Sequence, residues 1–253
     1  MNERGDKRGG RPRAPGTPDR KPPTRHRPRH DRDVSHRESK YDPVHLSEEI
    51  AQELRTTARP GKGDILVKVF ADAVAAYAAG DLDEAIRLGE QAKHIALRSI
   101  AAREFLGLAY YNAGRWNEAA RELGAFRRIS GSTAQNPVIA DTYRAMQKPE
   151  RALELIDEID RAKVDDPVFY EGQIVAAGAL ADMDRVDDAI ARVERLELRP
   201  DVAEEHHLRV WYVLGDLLAR RGRFTQARKW FEAVAAADPD ATDAPERVAR
   251  LAR

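Results

Sequence analysis

The sequence contains no cysteine, which excludes a disulfide framework, a thiolate metal site and a cysteine nucleophile together. Aromatic residues make up only 6 % of it, so a core must be built mainly from small and aliphatic side chains. Long apolar runs are also missing. Stretches such as AVAAYAA (73–79) are far too short to span a bilayer. The first forty residues hold only Met1, Ala14 and Val34 as hydrophobic positions, without the apolar segment of a signal peptide. The expectation is a soluble, cytoplasmic protein that needs no cofactor.

Net charge is absent as well, with 43 basic and 43 acidic residues, but the balance hides an asymmetry. Residues 1–40 carry thirteen Lys/Arg against six Asp/Glu; the remaining 213 carry thirty against thirty-seven. A basic tail of net +7 therefore precedes an acidic body of net −7. Six prolines and four glycines punctuate the tail. It cannot bury enough apolar surface to offset its ordering entropy, so residues 1–41 are expected to be disordered. Clustered Arg/Lys can release counterions from phosphates, which makes weak nucleic-acid contact through 1–40 a second use for it. Within it KRGGRPR (7–13) resembles an AT-hook, with Gly10 as an extra residue between Arg8 and the Gly-Arg-Pro core.

What is present is helix-forming and periodic. Alanine, arginine and glutamate suit helices with ion-paired surfaces and close packing. A first helix is expected over 44–58, with Asp42 or Ser47 as its cap, and Arg-Pro-Gly-Lys-Gly (59–63) then breaks the chain. That break is not a phosphate-binding loop, because the wider glycine spacing and the preceding strand are both missing.

From about 64 to 240 the chain reads as five helix pairs. AYAAGDLDEAIRLGEQA (76–92) and YYNAGRWNEAARELGAF (110–126) share Tyr77/Tyr111, Ala79/Ala113, Gly80/Gly114, Glu84/Glu118, Ala85/Ala119 and Arg87/Arg121 at a period of 34. Each glycine sits where a tight turn joins two helices. Each alanine sits where the helices cross, and a small side chain there lets the backbones approach. The crossing position recurs as Ala152, Ala189 and Ala227, with Gln147 and Asp184 standing where a turn glycine would be. Residues 241–253 are expected to form a final capping helix over the apolar end of the stack.

The last unit carries the fullest signature: Trp211, Leu214, Gly215, Leu218, Gly222, Ala227, Phe231 and Pro239. It resembles the tetratricopeptide repeat, with leucine at one position where an aromatic is usual. Gly107 and Tyr110 match in the second unit. The whole chain, and YRAMQKPERALELIDE above all, resembles tetratricopeptide proteins of high-GC bacteria that join a basic leader to an alanine- and arginine-rich body. The expected fold class is therefore all-α: a right-handed α-solenoid over 42–253, with flanking helices and a disordered basic tail ahead of it.

No catalytic constellation is evident. Glu204 and His207 lie three apart on one helical face without further ligands, so no metal is expected. Asp165-Asp166 and Asp187-Asp188 fit helix starts. The serines of ISGSTAQ (129–135) have no partner histidine in view. The resemblance implies a non-catalytic scaffold whose first helices line a concave peptide-binding groove. Placed on that pattern, the groove residues are Phe70 and Tyr77 from unit one, Glu104, Leu108, Tyr111 and Asn112 from unit two, Asp141 and Arg144 from unit three, and Arg209, Tyr212, Asp216 and Arg220 from unit five. Tyr77 and Tyr111 are the leading anchors, although both could instead pack between helices. The Lys/Asn cluster that clamps a C-terminal carboxylate in some members is not evident, so an internal or polar segment of a partner protein is implied. Alternatives are an adaptor anchored on nucleic acid or the ribosome through the tail, and self-association.

Overall fold

The computed structural model describes residues 41–196, 198 and 203–252; the expectations for segment 1–40 lie outside them. Among the described residues the chain is all-α. A first helix, Glu48–Thr57 (α1), leads into five antiparallel pairs. These are Gly63–Ala78 with Leu82–Ile95 (α2, α3), Ile100–Asn112 with Trp116–Ser130 (α4, α5) and Asn136–Ala145 with Pro149–Asp157 (α6, α7). After a short 3-10 turn at Arg161–Lys163 come Asp166–Asp182 with Val186–Glu194 (α8, α9), then Glu205–Arg220 with Phe224–Ala237 (α10, α11). Ala244–Leu251 (α12) closes the chain.

Local chemistry sets the helix ends. Ser47 accepts a hydrogen bond from the Ile50 amide (3.3 Å) and starts α1. Asp81 accepts from the Glu84 amide (3.2 Å) at the start of α3, while the Glu84 carboxylate pairs with Arg87 (2.6 Å). Between helices, Gly80, Gly114 and Gly222 turn at φ of 78°, 68° and 72°. Gln147 (58°) and Asp184 (60°) adopt the same left-handed conformation without being glycine. That backbone costs an ordinary L-residue about 1–2 kcal/mol, partly returned because glycine loses more freedom on folding. Gln147→Gly should therefore raise stability by about 0.5–1 kcal/mol, seen as an upward shift of the denaturant midpoint. The gain at Asp184 should be smaller, since aspartate tolerates this conformation better.

The crossing alanines, Ala85, Ala119, Ala152, Ala189 and Ala227, are all 0 % exposed. Where the first helix also approaches closely, glycine makes the room. A Cβ on Gly107 would lie 2.5 Å from Leu123, and one on Gly215 would lie 3.0 Å from Phe231. These contacts build a core that runs along the stack. Leu106, Ala109 and Tyr110 belong to its early part, Leu123, Ile139 and Leu155 to its middle, and Trp211, Leu214 and Phe231 to its end.

Each first helix touches the first helix of the next pair, α2 to α4, α4 to α6, α6 to α8 and α8 to α10. The second helices lie further apart and meet one another through long side chains, as Lys93 with Glu122 (3.1 Å) and Arg192 with Asp157 (2.9 Å). First helices thus form the inner layer of a solenoid and second helices its splayed outer layer. Among the described residues Ser99, Asn136, Thr142 and Glu122 are the buried polar side chains, and Glu122 alone of them is charged. Glu122 on α5 is 1 % exposed and receives Lys93 Nζ from α3 (3.1 Å), Arg121 Nε (3.0 Å) and the guanidinium of Arg103 from α4.

Candidate peptide-binding groove

The expected groove residues all project from first helices, and most of them join one helix to the next. Tyr77 is half-buried, its ring edge-on to Phe105 (5.8 Å between centroids), and its hydroxyl accepts from the Asn112 side-chain amide. Tyr111 packs edge-on to Trp116 (5.6 Å) and donates its hydroxyl to Asp141 Oδ2 (2.7 Å). Burial, then the bond to Asp141, pushes the Tyr111 hydroxyl well above the ordinary tyrosine range. It is a donor at any physiological pH.

Arg144 continues the series. Its Nε donates to Asp182 Oδ2 (2.8 Å) on α8 and its Nη1 to Asp141 Oδ1 (3.0 Å). The guanidinium lies over Gly178, where a Cβ would fall 2.5 Å from its central carbon. Asp141, Arg144 and Asp182 line a depression of about 410 Å³, with Gln147 and Pro149 at its border. Further along, Arg209 pairs with Glu171 (2.7 Å). Tyr212 donates to Asp243 (2.5 Å), and Asp216 lies between Arg220 (2.8 Å) and Arg247 of α12. Burial and then Asp243 raise the Tyr212 hydroxyl too.

Five positions differ in what they offer. Phe70 is 4 % exposed with Phe105 against its edge (5.4 Å), so it shapes the floor from beneath. Glu104 is tied to Gln135 (2.8 Å). Asn112, Arg209 and Arg220 are exposed.

The sequence reading named nothing on α8, where Glu171 and Asp182 pair with Arg209 and Arg144 and Gly178 makes room for the Arg144 guanidinium. A signal existed: Gly178 stands eleven residues before Ala189, as Asp141 does before Ala152 and Asp216 before Ala227.

Other polar residues singled out in the sequence take part in helix ends and ion pairs. His207 Nδ1 accepts from the Glu204 amide (3.4 Å) and helps cap α10, while Asp187 pairs with Arg221 (2.6 Å) across neighbouring pairs. Ser130 donates to the Phe126 carbonyl (2.9 Å) at the end of α5. Among the described residues no group of three or more histidines and carboxylates is placed to hold a metal. No helix among them is long and apolar enough to cross a membrane.

Comparison with known proteins agrees with this fold. Residues 174–242 match the family model described as tetratricopeptide repeat. The chain is similar to TTC0263, a thermophilic TPR protein of Thermus thermophilus (19 % identity, TM-score 0.54, covering 74 % of this chain and 98 % of that one). It is also similar to Pseudomonas aeruginosa pilF (15 % identity, TM-score 0.58, covering 76 % and 85 %). A third likeness is to the nearly identical TPR-like repeats of a Podosopora anserina putative kinesin light chain (20 % identity, TM-score 0.55, covering 70 % and 97 %). At such identities the shared property is the fold. Among curated proteins no sequence matches. Residues 174–242 thus match the tetratricopeptide repeat, and the pairs that precede them share the fold of solved tetratricopeptide-repeat proteins.

Proposed function

We propose that the protein is a non-catalytic interaction scaffold that takes a peptide segment of a partner protein along the face of its first helices. The observation that supports this most is the continuous polar and aromatic surface built by Tyr77, Asn112, Tyr111, Asp141, Arg144 and Asp182. It offers donors and acceptors with fixed directions on consecutive helices, which an extended segment can read in register. Charges of both signs alternate along it, which suits a polar segment better than an apolar helix. Its aromatic rings have one polar tip and one packed face, the combination that anchors interfaces at low entropic cost.

The test is affinity capture from lysate with the native chain, an Asn112→Ala/Arg209→Glu/Arg220→Glu variant and a Tyr111→Phe variant. The three substituted residues of the first variant are exposed, but the reversals set like charges beside Glu171 and Asp216 and the Asn112–Tyr77 bond is lost. Its melting temperature should therefore fall by several degrees while circular dichroism keeps its native helical signal. Partners held by the groove should be lost or weakened about tenfold or more in that variant, because charge reversals in a partner's path cost several kcal/mol. Tyr111→Phe should show an intermediate loss. Retention of every partner by both variants would place the binding surface elsewhere and sink this reading.

A further inference from the structure

A larger opening lies on the outer layer, where α5 and α7 diverge over α6. It is a cleft of about 550 Å³ lined by Arg127, Arg128 and Arg151 together with less polar positions that include Ala120, Gly124 and Tyr143. None of the residues lining it is acidic, although the body of the chain carries an excess of seven negative charges. Two of the arginines have partial partners: Arg127 pairs with Glu158 and Arg151 with Glu154. Arg128 is exposed, and no salt bridge or side-chain hydrogen bond engages it among the described residues. A guanidinium has five donors, so even the two paired arginines keep hydrogen-bonding capacity towards the cleft.

We propose that this cleft binds an acidic peptide segment of a partner protein. Its carboxylates would rest on the three arginines, and one apolar side chain would lie over Gly124 and Tyr143. The site is separate from the groove, because its residues come from α5, α7 and the outward side of α6. Charge complementarity selects the occupant. Three cations beside less polar positions match a short run of Asp or Glu that contains one apolar residue. A single-stranded nucleic acid is a poorer fit. It needs a longer track of cations and exposed rings for successive bases, whereas this cleft offers three arginines and the single ring of Tyr143.

The experiment is fluorescence anisotropy on the full-length chain, with a labelled Glu-Glu-Leu-Glu-Glu peptide and its Gln-for-Glu analogue. The basic segment 1–40 gives every variant the same background, so the cleft is read from differences between variants. Arg128→Gln removes the unpaired cation. Gly124→Glu supplies an internal carboxylate at a position where a Cβ meets nothing nearer than the Arg128 guanidinium at 3.6 Å. Both should weaken the acidic peptide about fivefold or more, and Lys229→Gln, an exposed cation on α11 outside both surfaces, should leave it unchanged. Binding should weaken further as salt is raised. Three outcomes would each overturn the proposal: unchanged affinity in both Arg128→Gln and Gly124→Glu, equal binding of the glutamine analogue, or a dT oligonucleotide that competes as well as the acidic peptide for the Arg128-dependent signal.

Discussion

Replacing Glu122 by glutamine should destabilise the protein by about 3 kcal/mol, read from denaturant unfolding. Removing one partner from a buried ion pair costs about 3–5 kcal/mol, because the other charge is left without compensation. Glu122 is 1 % exposed and serves Lys93 and Arg103 from two other helices. The effect should fall at the low end of that range. Lys93 keeps Glu90 (2.6 Å), and Arg103 keeps the Leu97 carbonyl (2.8 Å). Arg121, largely in solvent, contributes least.

The pH dependence follows with a definite sign. Burial alone would push the Glu122 carboxyl up, but hydrogen bonds from Arg103, Lys93 and Arg121 outweigh it and hold the group below the ordinary glutamate value. A depressed folded-state pKa means that the stabilisation is fully present above the unfolded value of about 4.3. It is lost as pH falls through the lower folded value. The gap between native protein and Glu122→Gln should therefore be constant around neutrality and narrow below about pH 4.

Phe231→Ala should be at least as costly, about 3–5 kcal/mol, by the transfer and cavity penalties of removing a buried ring. Phe231 is 0 % exposed. Its ring fills the space that Gly215 leaves open, meets the Tyr212 ring edge-on (5.4 Å) and carries the Arg247 guanidinium 4.9 Å above it. Losing it should therefore loosen α12 as well as the α10–α11 pair. Because each pair touches only its neighbours, the damage should be local. Hydrogen exchange should show protection falling from α10 to α12 while α2 to α5 keep theirs. A uniform loss along the chain would contradict that local architecture.

The stack itself was legible because its rules are local. An alanine at a helix crossing and a residue able to adopt positive φ at each turn repeat within a few positions of one another, and even the turns lacking glycine, at Gln147 and Asp184, keep the glycine backbone. Glu122 was harder to read. It stands three residues after Ala119, on the inner face where Leu88 and Leu155 stand relative to their own alanines. In a helix rich in Glu and Arg it nevertheless looks like one more solvated charge. Its burial depends on Lys93 and Arg103 arriving from other helices, which no local spacing encodes.

The inner-layer positions of the candidate site were legible in part for the same reason. Which first-helix positions face it follows from the repeat, but their partners do not. Tyr111 and Asp141, or Arg144 and Asp182, meet across 30 and 38 residues. Whether they touch depends on how far one pair is rotated against the next.

That rotation gives the cross-links of the inner layer a mechanical meaning. The Asn112–Tyr77, Tyr111–Asp141 and Arg144–Asp182 bonds each span one joint of the stack, like stays between successive ribs. A ligand that recruits one of these side chains must draw it away from the neighbouring pair and slacken that joint. Occupancy and curvature are then a single variable. A segment that bridges two pairs would replace the lost stay with itself and set the pitch of the superhelix at that point.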